Sequence, residues 1–132
     1  MKTTLMIVLF SLVGFRVFAS NNLLNLSETQ IRSLVCHKWK LSYLEFNGVK
    51  KTIPQKLPAS LLYFMENGIM QEITGDKKEE GKWSYLHDSK TITTDDKDGT
   101  EHHKIISITE KELVMDGKYM GKFFNMGFYR MD

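Results

Sequence analysis

Two tryptophans, each opening a strand-like run, constrain this chain most: His37-Lys38-Trp39-Lys40-Leu41-Ser42-Tyr43 and Gly81-Lys82-Trp83-Ser84-Tyr85. In both runs large apolar side chains alternate with polar ones, the period of a strand whose two faces meet different surroundings. Side chains of that size on one face need a deep apolar interior. The pattern points to a closed antiparallel sheet with its large residues aimed inward.

The chain begins with a different kind of segment. Met1-Lys2 supplies a short basic start, Leu5 to Phe15 is almost wholly apolar, and Val17-Phe18-Ala19 offers small residues where a signal peptidase reads. This run is shorter than the roughly 20 apolar residues of a membrane span, and Arg16 interrupts its far end. It reads as a secretory signal over 1–19, leaving a single domain over 20–132. Cleavage there takes away Lys2 and Arg16, two of the 18 basic residues, and so balances the 16 acidic ones. A neutral exported domain gives no reason to expect nucleic acid as a partner.

The one cysteine, Cys36, has no internal partner for a disulfide, so stability rests on the core and the ladder. Ser20, not Cys, becomes the new terminus. That predicts a secreted or periplasmic protein without a lipid anchor and without a membrane span in its mature form. Cys36 and His37 are neighbours, and neighbours on a strand diverge, so the pair predicts no nucleophile.

One helix is expected, over Asn22 to Lys38, with Ser27 as N-cap and Gln30 completing a capping box. From Trp39 onward the chain reads as eight strands. They are the Trp39 run, Leu61–Met65, Ile69–Thr74, Lys82–Leu86, Thr91–Thr94, Lys104–Ile108, Glu112–Met115 and Lys122–Arg130. Asn67-Gly68 reads as a two-residue hairpin with both positions at positive φ. Gly75–Glu80 reads as a charged turn, and Asp98-Gly99 as another. Short neighbour-to-neighbour connections favour an up-and-down barrel, whose closure removes free edges. The one long loop, Asn47 to Ala59, carries Pro54, Pro58, Lys50, Lys51 and Lys56 and no acid.

An N-terminal helical turn leads into a Trp-bearing first strand and a longish first loop. A Phe-bearing strand then ends in Asn67-Gly68, Gly81-Lys82-Trp83 repeats the Trp signature, and Ile108-Thr109-Glu110-Lys111-Glu112-Leu113 follows. From about Ser27 to Arg130 the chain resembles the small secreted bacterial lipocalin-like domains. The Gly-x-Trp signature is intact at residue 81, while His37 stands where the first copy would carry Gly. The resemblance implies an all-β, eight-stranded antiparallel barrel with a short N-terminal helix. It also implies that the first-strand Trp39 closes one end with Arg130 stacked across it, a structural pair.

The inward face is expected to gather Trp39, Leu41, Tyr43, Phe64, Trp83, Tyr85, Ile106, Ile108, Met115, Phe124, Met126 and Phe128. Of these, Leu41, Tyr43, Phe64, Trp83, Tyr85, Ile106, Met115, Phe124 and Met126 are the candidates to line a pocket. The expected partner is a small hydrophobic molecule, with Tyr43 or Tyr85 orienting a polar group and the lysines of the first loop attracting an anionic head. The competing reading is a filled barrel that acts through its outer surface, around Phe123, Tyr129 or Met120, as a protein-binding or inhibitory module. No catalytic motif, cofactor motif or metal-ligand spacing is present. Asp95-Asp96-Lys97-Asp98-Gly99 has Ile105 where a calcium loop would need its Glu, and His102 and His103 diverge on a strand.

Overall fold

The computed structural model describes residues 22–54 and 56–132; the expected signal segment lies outside them. Two short helices, α1 (Asn22–Asn25) and α2 (Glu28–Val35), precede nine strands. These are β1 (Lys38–Phe46), β2 (Val49–Thr52), β3 (Ser60–Phe64), β4 (Ile69–Thr74), β5 (Lys77–Leu86), β6 (Thr91–Asp96), β7 (Gly99–Ile108), β8 (Glu112–Tyr119) and β9 (Lys122–Arg130). All pairings are antiparallel, and the order runs β2–β1–β3–β4–β5–β6–β7–β8–β9, with β9 returning to β1. Eight strands therefore close an up-and-down barrel, the lipocalin-like architecture, and β2 is an extra short strand on one edge of β1.

The Ser27 capping box is present: Gln30 N donates to Ser27 Oγ (3.1 Å) and Ser27 N donates to Gln30 Oε1 (2.8 Å). The single helix expected over Asn22–Lys38 is instead broken at Leu26-Ser27, because a residue that caps one helix from an extended backbone cannot continue another. Within α2, Ile31 and Val35 lie four apart on one face, and both are buried against the end of the barrel.

The strands are longer than alternation alone suggests. Lys77 to Glu80 belongs to β5 and Gly99 to His103 belongs to β7, so the charged turns shrink to Gly75-Asp76 and Lys97-Asp98. Charged side chains obscured these stretches, although the backbone ladder continues beneath them. The first loop likewise contains β2, paired with the far half of β1 from Tyr43↔Thr52 to Phe46↔Val49. Asn67-Gly68 forms a different hairpin from the one expected. Only Gly68 has a positive φ, and Gly68 N donates to the Met65 carbonyl, so a type I turn is followed by a left-handed glycine.

Trp39 and Trp83 both face the interior and are buried. Each indole N–H finds a main-chain acceptor: Trp39 Nε1 donates to the Val35 carbonyl at 3.0 Å, and Trp83 Nε1 to the Met65 carbonyl at 2.8 Å. Val35 ends α2, and its carbonyl, which has no partner within the helix, accepts from both His37 N (2.7 Å) and the Trp39 indole. Around them Phe64, Met70, Tyr85, Ile92, Ile105, Ile108, Leu113, Met115 and Phe128 form one buried cluster with Ile31 and Val35. This cluster is the floor of the barrel, and α2 covers it from below.

Candidate functional site

Above the floor the two walls of the barrel differ in kind. On one side Leu41, Leu44 and Phe46 of β1 face inward beside Met126 and Phe124 of β9, in the register Leu41↔Phe128 and Leu44↔Met126. Phe46 stacks on Phe124 with ring centroids 5.2 Å apart. Leu41, Leu44, Phe124 and Met126 are half-buried, and Phe46 is exposed at the rim. Across from them, Glu72 of β4, Glu79 of β5, Asp96 of β6 and Glu101 of β7 occupy the inward positions of their strands. Burial, then the charges of Glu79, Asp96, Glu101 and Asp98, hold the Glu72 carboxyl above its ordinary range. Glu79 also accepts from Lys97 Nζ at 3.0 Å.

The wall is interrupted between β7 and β8. Their ladder runs from Ile108↔Leu113 to Ile105↔Met115 and goes no further among the described residues. Asp116 takes over there: its Oδ1 accepts from Lys104 N at 2.7 Å, and its carbonyl lies 2.8 Å from His103 Nδ1. Beyond this point β7 pairs only with β6, and β8 only with β9. At the mouth end the inward positions are thus apolar on β1 and β9 and acidic on β4 to β7, and the ladder is open between β7 and β8.

Of the residues expected to line a pocket, Phe64, Trp83, Tyr85 and Met115 are buried in the floor, and Leu41 and Met126 pack against its upper edge. Phe124 stands at the rim. Two expectations fail for one reason, a β-bulge. In β1 the register shifts between Leu41 and Tyr43, so Ser42 is the extra residue and Tyr43 turns to the outer face above Gly127. There Lys50 Nζ lies 4.6 Å from the Tyr43 ring centroid, and burial followed by Glu112 and Glu45 raises the phenol pKa. In β7 the shift between Ile105 and Ser107 puts Ile105 inside and leaves Ile106 45% exposed.

The first bulge also brings Leu44 and Phe46 inside, and sequence reasoning missed both. The available signal was the adjacent apolar pair Tyr43-Leu44, matched by Ile105-Ile106 in the other bulge; two large apolar neighbours cannot both obey strict alternation.

The stack of Arg130 on Trp39 is not formed. The two are register partners, but Arg130 Nε donates to Asp132 Oδ1 (3.2 Å) and its Nη1 to the Glu110 carbonyl (3.4 Å). The cation placed over an indole is Arg32, 5.6 Å from the Trp83 ring, because α2 carries it across the floor. Tyr85 Oη lies 3.1 Å from His87 Nδ1 and faces the helix end of the barrel.

A shallow groove of about 430 Å³ lies at that end, lined by Cys36, Tyr63, Phe64, Met65, Glu66 and Asn67. Burial, reinforced by Glu66, raises the Cys36 pKa and keeps it a thiol, the opposite of what a nucleophile needs. His37 turns instead to Asp132, with Nδ1 3.3 Å from Oδ2. His102 Nδ1 lies 3.0 Å from Thr93 Oγ1 on the outer face, while His103 faces inward. No group of three or more His, Cys, Asp or Glu among the described residues is placed to hold a metal ion. Nor is any helix among them long and apolar enough to cross a membrane.

No protein-family model and no curated protein matches the chain. Among solved structures, a lipocalin-like protein from Bacteroides uniformis is similar over 74% of this chain and 99% of that one, at 16% identity and a TM-score of 0.45.

Proposed function

We propose that this protein is an exported, soluble binding protein whose mouth chamber takes a small molecule with an apolar body. One observation carries the reading: Leu41, Leu44, Phe46, Phe124 and Met126 form a continuous, incompletely covered apolar wall inside the open end of a barrel whose floor is already filled. Half-buried apolar side chains lining a concave face lower the free energy of any molecule that removes them from water. Covering about 150 Å² of such surface is worth about 4 kcal/mol before ordering costs. The floor limits the ligand to the upper half of the barrel. Met126 and the stacked phenylalanines offer adaptable contacts rather than a rigid mould. The role is binding rather than catalysis, since the site joins an apolar surface to carboxylates without a nucleophile beside a base.

Mass spectrometry of an organic extract of the purified protein, together with titration of an environment-sensitive fatty-acid probe, tests this. An apolar compound should co-purify, or the probe should bind and be displaced, and Leu44→Glu or Met126→Glu should abolish binding while far-UV circular dichroism stays unchanged. An empty extract and a silent probe would refute the proposal. Export is tested separately by N-terminal sequencing of the processed protein, which should begin at Ser20.

A further inference from the structure

The chain direction puts the β1–β2 turn and the β8–β9 turn side by side at the mouth. β9 descends along β1 from Asn125↔Glu45, so Asn47-Gly48 and Met120-Gly121 are neighbouring tips. Both carry large apolar side chains into solvent: Met120 is 85% exposed, Tyr119 70%, Phe123 66% and Val49 60%. Beside the tips, on β2, β8 and β9, stand Lys50, Lys51, Lys118 and Lys122, all exposed. None of the four forms an ion pair among the described residues; Lys50 lies over Tyr43, and Lys118 Nζ is 5.2 Å from the Phe123 centroid. The sequence has no acid from Phe46 to Met65 or from Gly117 to Met131. Glu45 is the ladder partner of Lys50 but forms no ion pair with it, and Asp116, two residues before Lys118, is taken up by Lys104 N.

We infer that these paired tips dock the protein on an anionic phospholipid bilayer, with Tyr119, Met120 and Val49 entering the headgroup region and the four lysines meeting lipid phosphates. The inference stands apart from the ligand in the chamber. Aromatic and apolar residues interleaved with lysine suit a membrane interface, where ring and methylene bury while the ammonium stays wet. The tips leave most of each of these side chains in solvent, which suits a fluid that closes around them better than a rigid partner surface. The opposite rim is net acidic, with Asp95, Asp96 and Asp98 at the β6–β7 turn and the intervening Lys97 paired with Glu79. An anionic surface repels that rim, so the same charge pattern sets the orientation.

The test uses the full chain with vesicles of phosphatidylcholine, alone or mixed with phosphatidylglycerol, carrying brominated acyl chains. Tyr119→Trp reports from the tips and Asp98→Trp from the opposite rim; Trp39 and Trp83 are buried and give a constant background. Anionic vesicles should blue-shift and quench the Tyr119→Trp emission, salt should relieve it, and the Asp98→Trp emission should not change. Adding Lys118→Glu and Lys122→Glu to the Tyr119→Trp chain should weaken the effect by about tenfold or more. Near-UV circular dichroism checks that each variant is folded. Equal quenching at both reporters overturns the inference, because the apolar N-terminal segment would then be bringing the chain down. Salt-independent quenching by neutral vesicles also overturns it. So does an absence of quenching, including the case where sedimentation shows the tips binding a second copy.

Discussion

Replacing Gly127 by Ala tests the bulge that rearranges the chamber. Gly127 lies opposite Tyr43 on the outer face, and a Cβ there would stand 2.6 Å from Tyr43 Cδ1, with other ring atoms closer still. Carbon atoms in contact prefer about 3.5–4.0 Å, so the ring must retreat by about 1 Å or more and give up its seat under Lys50. Overpacking of this kind costs about 1–3 kcal/mol, offset by the roughly 0.5–1 kcal/mol that Ala contributes over Gly in the unfolded chain. The net expectation is a loss of about 1–2 kcal/mol. For a domain of this size that lowers Tm by about 4–8 °C. In a Tyr43→Ala background the obstacle is gone, and Gly127→Ala should be neutral or slightly stabilising. Urea unfolding of the four proteins in the cycle should therefore show a coupling of about 1–3 kcal/mol with unchanged m-values. Were Tyr43 inside the barrel, as strict alternation requires, Gly127→Ala would cost the same in both backgrounds. That result would refute the placement of Tyr43 and, with it, of Leu44 and Phe46.

Three further outcomes follow from particular contacts. Trp39→Phe keeps most of the buried ring but removes the indole donor from the Val35 carbonyl, leaving it only His37 N, and chemical denaturation should register a loss of about 1 kcal/mol. Ser27→Ala removes the cap of α2; it should cost about 1 kcal/mol and speed amide exchange at Gln30 and Ile31. Glu72→Gln tests the acidic wall through pH. The folded state raises the Glu72 pKa, so it holds that proton more tightly than the unfolded chain does. Stability is therefore lost as pH rises from the unfolded carboxyl range through the folded pKa, and the whole penalty is present above it. The variant should melt above wild type at pH 7, and the two should converge near pH 3, where both states of Glu72 are protonated; a constant gap across that range would refute the account.

Much of the barrel was legible because its causes are local. A period of two along β1, β5 and β9, a Ser and Gln three apart, and turn residues at short intervals each act within a few residues of chain. Closure followed from the count of strands and the brevity of their connections. The Gly of Gly81-Lys82-Trp83 also has a cause that only the fold reveals. A Cβ at 81 would lie 2.7 Å from the Asp95 carbonyl oxygen, so β6 approaches the backbone of β5 too closely for any side chain.

What composition and period determined by themselves was the class of architecture, the capped helix and the burial of both indoles. Tertiary structure alone decided which face each residue takes after Ser42 and after Ile105, because one extra residue reverses every later position and leaves the period intact. It also decided that Arg32 crosses to Trp83, since residues so far apart in sequence meet only once α2 packs across the end of the barrel, and that Arg130, though a register partner of Trp39, turns to its near neighbour Asp132. The splay at Asp116, and the contrast of an apolar wall with an acidic one, belong to the same level. They arise where eight strands close at an angle, and no single strand contains them.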